Sequence, residues 1–365
     1  MIWIRDESGA AAAIDLDAGG AVRSLTLRAD GDTALVPVLT TPTVAESEPG
    51  AQNSEPCGAG AAVPVAAGSG TTAARDPRTV AAMGDLFAGR WLAPFADRIP
   101  GGVYDWYGAD YRIAPNDHET GDAIHGFLYR CPLEVVSQSA SRVRLVGEMP
   151  ATEGYPWRTR AEVSCAIRAS RLDVELAVTC LEGPGSPAPV TIGWHPYFRH
   201  PDGLALINDA VLEVPADRYL EADDDLALTG RRPAVAGSAF DFRRPRPIGA
   251  VELDVALERD GNDGPARQAD TSPVGASPAG ASPVMIARLG GREREVVVEA
   301  DGAFGRVQLF VPPDRDCIAL EPVSAPAAAF SDPGLGPAAL YPGDSIRGSA
   351  RVSLRRRGDA DFQRR

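Results

Sequence analysis

A histidine and a glutamate, each at the end of an apolar run and each followed by proline, are the residues best suited to acid–base chemistry. His195 lies in the segment 191–198 (Thr-Ile-Gly-Trp-His-Pro-Tyr-Phe), and Glu321 lies in the segment 317–323 (Cys-Ile-Ala-Leu-Glu-Pro-Val). Proline restricts the residue before it to an extended conformation, so both side chains are expected in a fixed geometry. An imidazole titrates near neutrality, and burial moves a carboxylate toward the same range. Alternatively, His195 packs in the core and Glu321 pairs with an arginine at the rim.

Two further polar residues have surroundings typical of a binding cavity. His125 follows apolar residues and precedes Gly126, which permits close approach of a backbone or a ligand. Arg98 lies between apolar residues and a glycine turn, a setting in which arginine is usually tethered or binds an oxygen acceptor. The other histidines, His118 and His200, are expected in loops. No histidine or cysteine pair has the tight spacing of metal ligands, so we expect no metal site.

Short alternating segments must position these side chains. Hydrophobic and polar residues alternate in at least six of them, which is typical of half-buried strands separated by Gly, Pro and Asp turns. These segments are 21–27, 141–146, 171–178, 294–299, 306–311 and 349–354. No convincing amphipathic helix longer than about three turns is present. The sequence therefore predicts an all-β fold, a large and mostly antiparallel sandwich or barrel with few short helices.

Composition excludes several classes of function. The chain has 365 residues and a formal charge of −14, which disfavours binding to nucleic acid or to anionic membranes. All 36 basic side chains are arginine, so Schiff-base chemistry and a lysine-containing phosphate loop are excluded. The five cysteines are widely spaced and odd in number, as in a reduced protein. With no signal-like start and no long apolar run, we expect a cytoplasmic location.

Six segments, taken in order, carry a more specific pattern. They are 94–99 (Pro-Phe-Ala-Asp-Arg-Ile) with Gly102, 124–126 (Ile-His-Gly), 193–198 (Gly-Trp-His-Pro-Tyr-Phe), 240–243 (Phe-Asp-Phe-Arg) with Leu253 and Asp254, 319–322 (Ala-Leu-Glu-Pro) with Phe330, and 340–345 (Leu-Tyr-Pro-Gly-Asp-Ser). This series resembles the aldose 1-epimerase (galactose mutarotase) family from near residue 8 to near residue 354. The His-Pro-Tyr-Phe segment is the most specific of the six.

The resemblance implies a domain organisation. We expect a single mutarotase-like β-sandwich domain over residues 1–354, followed by a basic tail at 355–365. Two stretches without periodicity, near 41–80 and near 260–283, are rich in small residues and proline, and we expect them to be irregular insertions.

The resemblance also implies an activity and a site. Members of the family interconvert the α and β anomers of a free aldose, such as galactose or glucose, without a cofactor. Glu321 would be the catalytic base, His195 the catalytic acid, and His125 a hydrogen-bond donor to the ring oxygen or a neighbouring hydroxyl. Arg98 and Asp254 would bind other hydroxyl groups of the sugar.

Trp194 and Phe330 would offer apolar faces to the sugar, unless they pack in the core instead. The implied partner is a small-molecule sugar used in carbohydrate metabolism, and the implied assembly is a monomer or homodimer.

Three departures from the family pattern bear on the choice of sugar. Asp97 stands where asparagine is usual, Ala329 replaces another asparagine before Phe330, and Cys180 replaces a third. The first two alter possible contacts to hydroxyl groups, so the preferred sugar is less well defined than the reaction.

Two other functions remain open from the sequence. A hexose-6-phosphate 1-epimerase on the same fold would need an arginine cluster, for which Arg90, Arg98 and Arg199 are the candidates. A non-catalytic sugar-binding module would have lost the chemistry, although both histidines and Glu321 are present. Hydrolysis of a glycosidic bond is disfavoured because it needs two flanking carboxylates.

Overall fold

The computed structural model describes residues 1–42, 83–260 and 283–357. Both predicted insertions, near 41–80 and near 260–283, fall almost entirely outside these residues, as does the tail from residue 358 onward. None of the helices in the described residues is long and apolar enough to cross a lipid bilayer.

Strands dominate the described part of the chain. The first ten are β1 (Ile2–Arg5), β2 (Ala11–Asp15), β3 (Ala21–Leu27), β4 (Val36–Pro37), β5 (Leu39–Thr40), β6 (Trp91–Leu92), β7 (Arg98–Ile99), β8 (Val103–Trp106), β9 (Ala109–Arg112) and β10 (Ala123–Ile124). The next nine are β11 (Glu134–Gln138), β12 (Arg142–Met149), β13 (Arg158–Arg168), β14 (Arg171–Glu182), β15 (Ala188–Val190), β16 (Gly193–Trp194), β17 (Tyr197–Arg199), β18 (Val211–Glu213) and β19 (Arg218–Tyr219).

The remaining strands include the longest ones near the end of the chain. They are β20 (Arg246–Pro247), β21 (Asp254–Glu258), β22 (Val284–Gly290), β23 (Arg294–Gly302), β24 (Arg306–Phe310), β25 (Cys317–Val323), β26 (Ala338–Leu340) and β27 (Ser345–Arg356). Short 3₁₀ helices of three residues each lie at Leu16–Ala18, Pro100–Gly102, Leu128–Arg130 and Pro333–Leu335.

Two large antiparallel sheets form the body of the protein. The first contains nine strands in the order β11-β12-β13-β14-β27-β23-β22-β18-β20. The second contains eight strands: six lie side by side in the order β19-β21-β24-β25-β16-β6, and β17 pairs with both β25 and β5. Strands β1 to β4 form a separate four-stranded sheet. Every predicted alternating segment lies in one of these strands, and the all-β antiparallel sandwich is confirmed.

The nine-stranded sheet shows why these sequences form strands. In β13 buried residues alternate with more exposed ones along the strand, and β14 keeps the same alternation over most of its length. A period of two places all the apolar side chains on one face of the sheet. These side chains share one hydrophobic core with residues from the other large sheet, including Leu176 and Val298 from the first and Leu309 and Leu320 from the second.

The last sheet strand continues past residue 354, the predicted end of the domain. Strand β27 continues to Arg356 and pairs with β23 there, with Arg355 opposite Glu295 and Arg356 opposite Arg294. Arg357 donates a hydrogen bond from Nη1 to the carbonyl of Gly291 at 2.6 Å. The first three residues of the predicted tail are therefore part of the folded sheet or bound to it.

Candidate active site

A cavity of about 620 Å³ lies beside the centre of the eight-stranded sheet. Five residues predicted from the sequence line it together, although they are far apart in the chain: Arg98, His125, His195, Asp254 and Glu321. A cavity of this size can enclose a small ligand such as a monosaccharide.

Glu321 is held in the middle of the sheet. It lies in β25, where all seven residues are buried, and Gln308 of β24 is its direct cross-strand partner. Only 3% of Glu321 is exposed. Burial, together with the negative charges of Asp97 and Asp254, raises the pKa of Glu321 well above its usual value.

His195 is fixed between two short strands, β16 and β17. Its backbone N–H donates to the carbonyl of Arg90 at 3.0 Å, and its carbonyl accepts from the N–H of Gly89 at 2.8 Å. Its ring stacks on that of Tyr197 with 5.0 Å between the ring centroids. Burial, assisted by the positive charge of Arg90, lowers the pKa of His195 to about 3.

His195 and Glu321 form a pair. The distance from His195 Nε2 to Glu321 Oε1 is 3.4 Å, and both side chains are buried. Burial opposes charge on either partner, so the pair retains one proton, mainly on Glu321, over a wide range of pH. The pair can therefore accept one proton from a ligand and release another to it without a change in the total charge of the two side chains.

A left-handed turn positions His125 beside this pair. Strand β10 pairs with β7 and ends at Ile124, after which His125 (φ 61°) and Gly126 (φ 69°) both have positive φ. A side chain at Gly126 would collide with the carbonyl of Ala93, since its Cβ would lie 2.1 Å from that oxygen. The glycine predicted to allow a close approach is therefore required by the backbone.

The ring of His125 is fixed by two neighbours. Its centroid lies 4.6 Å from that of Phe87 and 5.3 Å from that of His195, in edge-on arrangements. Nδ1 of His125 is buried and has no hydrogen-bond partner within the described residues. Burial and the nearby His195 and Arg98 lower the pKa of His125 well below its usual value, so the ring is neutral near pH 7.

Arg98 and Asp254 are both engaged by neighbouring polar groups. Arg98 Nη1 lies 3.1 Å from Asp122 Oδ2 and 3.5 Å from Asp117 Oδ2. Asp254 accepts a hydrogen bond at 2.7 Å from Gln308 Nε2. These contacts restrain both side chains at the wall of the cavity, where a ligand hydroxyl can reach them.

Trp194 and Phe330 lie in the core and do not line the cavity. Trp194 is fully buried, stacks on Trp91 at 5.6 Å and donates from Nε1 to the carbonyl of Gly89 at 3.2 Å. Phe330 is 1% exposed and packs against Phe95 and other rings. Their placement agrees with core packing, the alternative that the sequence left open, and not with contact to a sugar.

The three arginines considered for a phosphate site do not converge. Arg90 is buried against Asp85, and Arg199 donates from Nη2 to Thr40 Oγ1 at 2.9 Å. Neither of them lines the cavity, whereas Arg98 does. The described residues therefore do not form the arginine cluster that a sugar phosphate would need.

Several residues that line the cavity were not identified from the sequence. Gln308 binds Asp254, Tyr197 stacks on His195 and Phe87 contacts His125. His118, expected in a loop, is exposed and also lines the cavity. Tyr197 belongs to the specific His-Pro-Tyr-Phe segment, and alternation along the strand could have placed it on the same face as His195.

Carboxyl groups are the most frequent polar groups of the lining. Besides Asp254 and Glu321, the carboxyl groups of Asp97, Asp117 and Glu119 line the cavity, and Arg98 is the arginine among the described lining residues. In the described residues, no three His, Cys, Asp or Glu side chains form a cluster that could hold a metal ion.

Comparison with known proteins places this arrangement in a family. The model of the aldose 1-epimerase family matches residues 74–353. An uncharacterized protein of Escherichia coli, YihR, is 28% identical over 46% of this chain and 53% of its own length. Human galactose mutarotase is 28% identical over 47% of this chain and 49% of its own length. The chain spans about half the length of the curated relatives it matches.

Solved structures show the same fold at lower identity. A GalM/aldose epimerase homologue from Caenorhabditis elegans superposes with a TM-score of 0.70 at 17% identity, covering 98% of this chain and 99% of that one. A galactose 1-epimerase from Lactobacillus acidophilus superposes with a TM-score of 0.64 at 16% identity, covering 97% and 93%. With the family model matching more than half of its residues, this chain belongs to the aldose 1-epimerase family.

Proposed function

We propose that this protein is an isomerase that interconverts the α and β anomers of a free aldose, such as galactose or glucose. The observation that carries the proposal is the buried pair of His195 and Glu321, whose Nε2 and Oε1 atoms are 3.4 Å apart beside a cavity of about 620 Å³. Membership of the aldose 1-epimerase family supports the same reaction.

The reaction moves one proton at each of two oxygens. A base removes the proton of the anomeric hydroxyl, the bond between C1 and the ring oxygen breaks, and an acid protonates the ring oxygen. The resulting aldehyde rotates about the C1–C2 bond, and ring closure reverses both transfers. The reaction consumes and produces no electrons, and the protein ends with the protons it started with.

Glu321 and His195 supply the two proton transfers in this proposal. In the resting pair the titratable proton is on Glu321, so it first moves to His195. Glu321 then accepts the proton of the anomeric hydroxyl and His195 donates to the ring oxygen, and the roles reverse on closure. Both roles require the two side chains to share one titratable proton, a state that their burial favours. Distances between catalytic groups, such as the 3.4 Å between His195 Nε2 and Glu321 Oε1, commonly shorten when substrate binds.

The neighbouring side chains orient the sugar. His125 directs a neutral ring toward the same space as His195, and its N–H would donate to the ring oxygen or an adjacent hydroxyl. Arg98 would donate to a hydroxyl oxygen, and Asp254 would accept from a hydroxyl group.

The charge of the cavity favours an uncharged sugar over a phosphorylated one. Asp97, Asp117, Glu119 and Asp254 line it beside the protonated Glu321, whereas Arg98 is already paired with acidic groups. The hexose-6-phosphate epimerase is therefore the weaker alternative. A binding module without catalysis is disfavoured because the acid–base pair is present and buried.

Three expectations from the sequence stay predictions. They are a single sandwich domain over residues 1–354, a cytoplasmic location, and assembly as a monomer or homodimer.

Removal of either member of the pair tests the proposal. We expect Glu321→Gln and His195→Asn each to lower kcat by about 10²–10⁴-fold, the usual contribution of a positioned acid or base. The assay follows optical rotation of freshly dissolved α-D-galactose and α-D-glucose in dilute buffer, with the spontaneous rate subtracted. The control is Glu134→Gln on the exposed edge strand β11, which should retain normal activity. Near-normal rates in both folded variants would contradict the proposal.

A further inference from the structure

Asp97 is an acidic residue at a position where the family pattern has asparagine. It lines the cavity immediately before β7 and has a positive φ of 59°, a conformation that Asp and Asn tolerate better than most residues. Its carbonyl accepts a hydrogen bond at 2.9 Å from the backbone N–H of His125. The backbone thus fixes Asp97 in the wall that carries His125, and the substitution puts an ionisable group where an amide would be neutral.

The charged groups facing Asp97 come from several elements. Arg98 of β7 has its Nε 3.8 Å from Asp97 Oδ1, but the same guanidinium also pairs with Asp117 and Asp122. Its positive charge is therefore shared among three carboxylates. The other titratable groups that line this cavity are Asp254 of β21, Glu321 of β25, His125 and His195, Tyr197 of β17, and His118 and Glu119 of the loop before β10.

Partial burial brings the ionisation of Asp97 into the physiological range. Loss of solvent raises the pKa of Asp97 to about 6, although the positive charge of Arg98 opposes this rise and Asp254 adds to it. Asp97 is therefore largely protonated at pH 5 and largely ionised at pH 7.

We propose that Asp97 is a positioning residue that, once ionised, strengthens the hold of the Glu321–His195 pair on its shared proton. The inference rests on the proposed function, in which that proton is the one transferred. A negative charge on Asp97 disfavours a second negative charge on Glu321 in the same cavity, so the pair loses its proton only at higher pH. Asp97 thereby extends the active one-proton state toward alkaline pH.

The expected effect is confined to the alkaline side of the pH profile. On the alkaline side Asp97 is ionised, so removing its charge should let the proton leave at lower pH. On the acid side, below the pKa of about 6 for Asp97, the residue is already neutral and its removal should change little. A general disturbance of the site would change the acid and the alkaline side of the pH profile together.

The first test is the pH dependence of kcat/KM on α-D-galactose for the wild type and Asp97→Asn. The variant keeps the size of the side chain and tolerates the positive φ. We expect the alkaline midpoint to move to lower pH by about one unit, with the acid side unchanged. Asp105→Asn, an exposed carboxylate in β8, is the matched control and should leave both sides in place. An alkaline midpoint that coincides with that of the wild type would overturn the inference.

A second measurement does not depend on activity. Carbon NMR of protein labelled at the glutamate carboxyl carbon follows the ionisation of Glu321, whose signal is assigned by its loss in Glu321→Gln. We expect the midpoint of that titration to be lower in Asp97→Asn than in the wild type, and equal midpoints would refute the role of Asp97. If Asp97→Asn does not fold, as judged by circular dichroism, Asp97→Ser replaces it in both measurements.

The two claims fail in different ways. A wild-type protein that does not accelerate mutarotation, yet shows the shift of the Glu321 titration, refutes the proposed function and leaves the electrostatic coupling intact. An active wild type with no shift in either measurement refutes the coupling alone.

Discussion

The acid–base properties of His195 and Glu321 follow from their burial away from solvent. In water, at neutral pH, a histidine is mostly neutral and a glutamate is ionised. In this cavity burial moves the two pKa values apart, downward for His195 and upward for Glu321. The pair then holds one proton that can be moved in either direction, which is the requirement of a reaction with reversible acid and base roles.

The turn at Gly126 makes a prediction at the residue scale. Gly126→Ala should destabilise the protein by about 1–3 kcal/mol and lower activity, because the new Cβ meets the Ala93 carbonyl and strains the turn that holds His125. The matched control is Gly108→Ala, which also has positive φ but no atom within 4 Å of the new Cβ. Urea unfolding and polarimetry should show a larger loss for Gly126→Ala. If both variants lost the same stability and activity, backbone strain at positive φ would explain the loss without the contact with the Ala93 carbonyl.

The sequence identified the residues with distinctive neighbours and missed those without them. His195 and Glu321 are marked by a following proline, which restricts the backbone, and His125 by a following glycine, which permits positive φ and close approach. Gln308 has no such mark, because its role depends on the partner opposite it in the next strand. For Trp194 the sequence left sugar contact and core packing both open, and the structure places it in the core. Successive residues of an extended chain point to opposite faces, so a ring next to His195 points away from the cavity.

At the scale of the element, the three strands β21, β24 and β25 bring the polar residues onto one face. Register places Gln308 opposite Glu321, and Arg306 opposite both Glu258 and Val323. Arg306 and Glu258 are each 3% exposed, with Arg306 Nε 2.9 Å from Glu258 Oε2. This buried ion pair anchors the strand pair that carries the site.

Breaking that pair gives the prediction at this scale. We expect Glu258→Gln to lower the free energy of unfolding by about 3–5 kcal/mol, because it removes the buried negative charge that pairs with both Arg306 and Arg232. The comparison is Glu182→Gln, which removes the exposed pair with Arg158 and should change stability little. Chemical denaturation of both variants measures the difference. A Glu258 variant as stable as the Glu182 variant would show that β21 and β24 are held by other contacts.

Alternation predicted the strands but not their order. The alternating segment 349–354 lies in β27, which enters the nine-stranded sheet between β14 and β23. The pairing of β27 with β14 joins residues 166 to 182 positions apart, from Thr179 with Ser345 to Arg171 with Ser353, and no local signal in the sequence specifies it. Alternation does not predict β25, because this strand is buried on both faces and its sequence does not alternate between apolar and polar residues.

At the scale of the whole molecule, negative charge dominates. The formal charge is −14, and among the described residues that line the cavity acidic side chains outnumber arginine five to one. A field of this sign repels anions from the cavity at low ionic strength.

Substrate charge therefore provides a prediction for the whole protein. We expect kcat/KM for glucose 6-phosphate to be lower than for glucose by about tenfold or more at low salt, since juxtaposed like charges are costly. Added salt should reduce the difference in kcat/KM between the two sugars, because it screens the charges. Proton NMR of the anomeric signals measures both sugars in the same way. Faster turnover of the phosphate would support the hexose-6-phosphate epimerase instead.

The most direct test of the central claim is two-dimensional exchange NMR of galactose and glucose at anomeric equilibrium, with and without the wild-type protein. We predict exchange cross-peaks between the α and β anomeric protons of at least one sugar when the protein is present, in both directions and at equal flux. Their absence for both sugars, at a protein concentration where the chain is folded, would contradict the proposal that this cavity catalyses anomer interconversion of a free aldose.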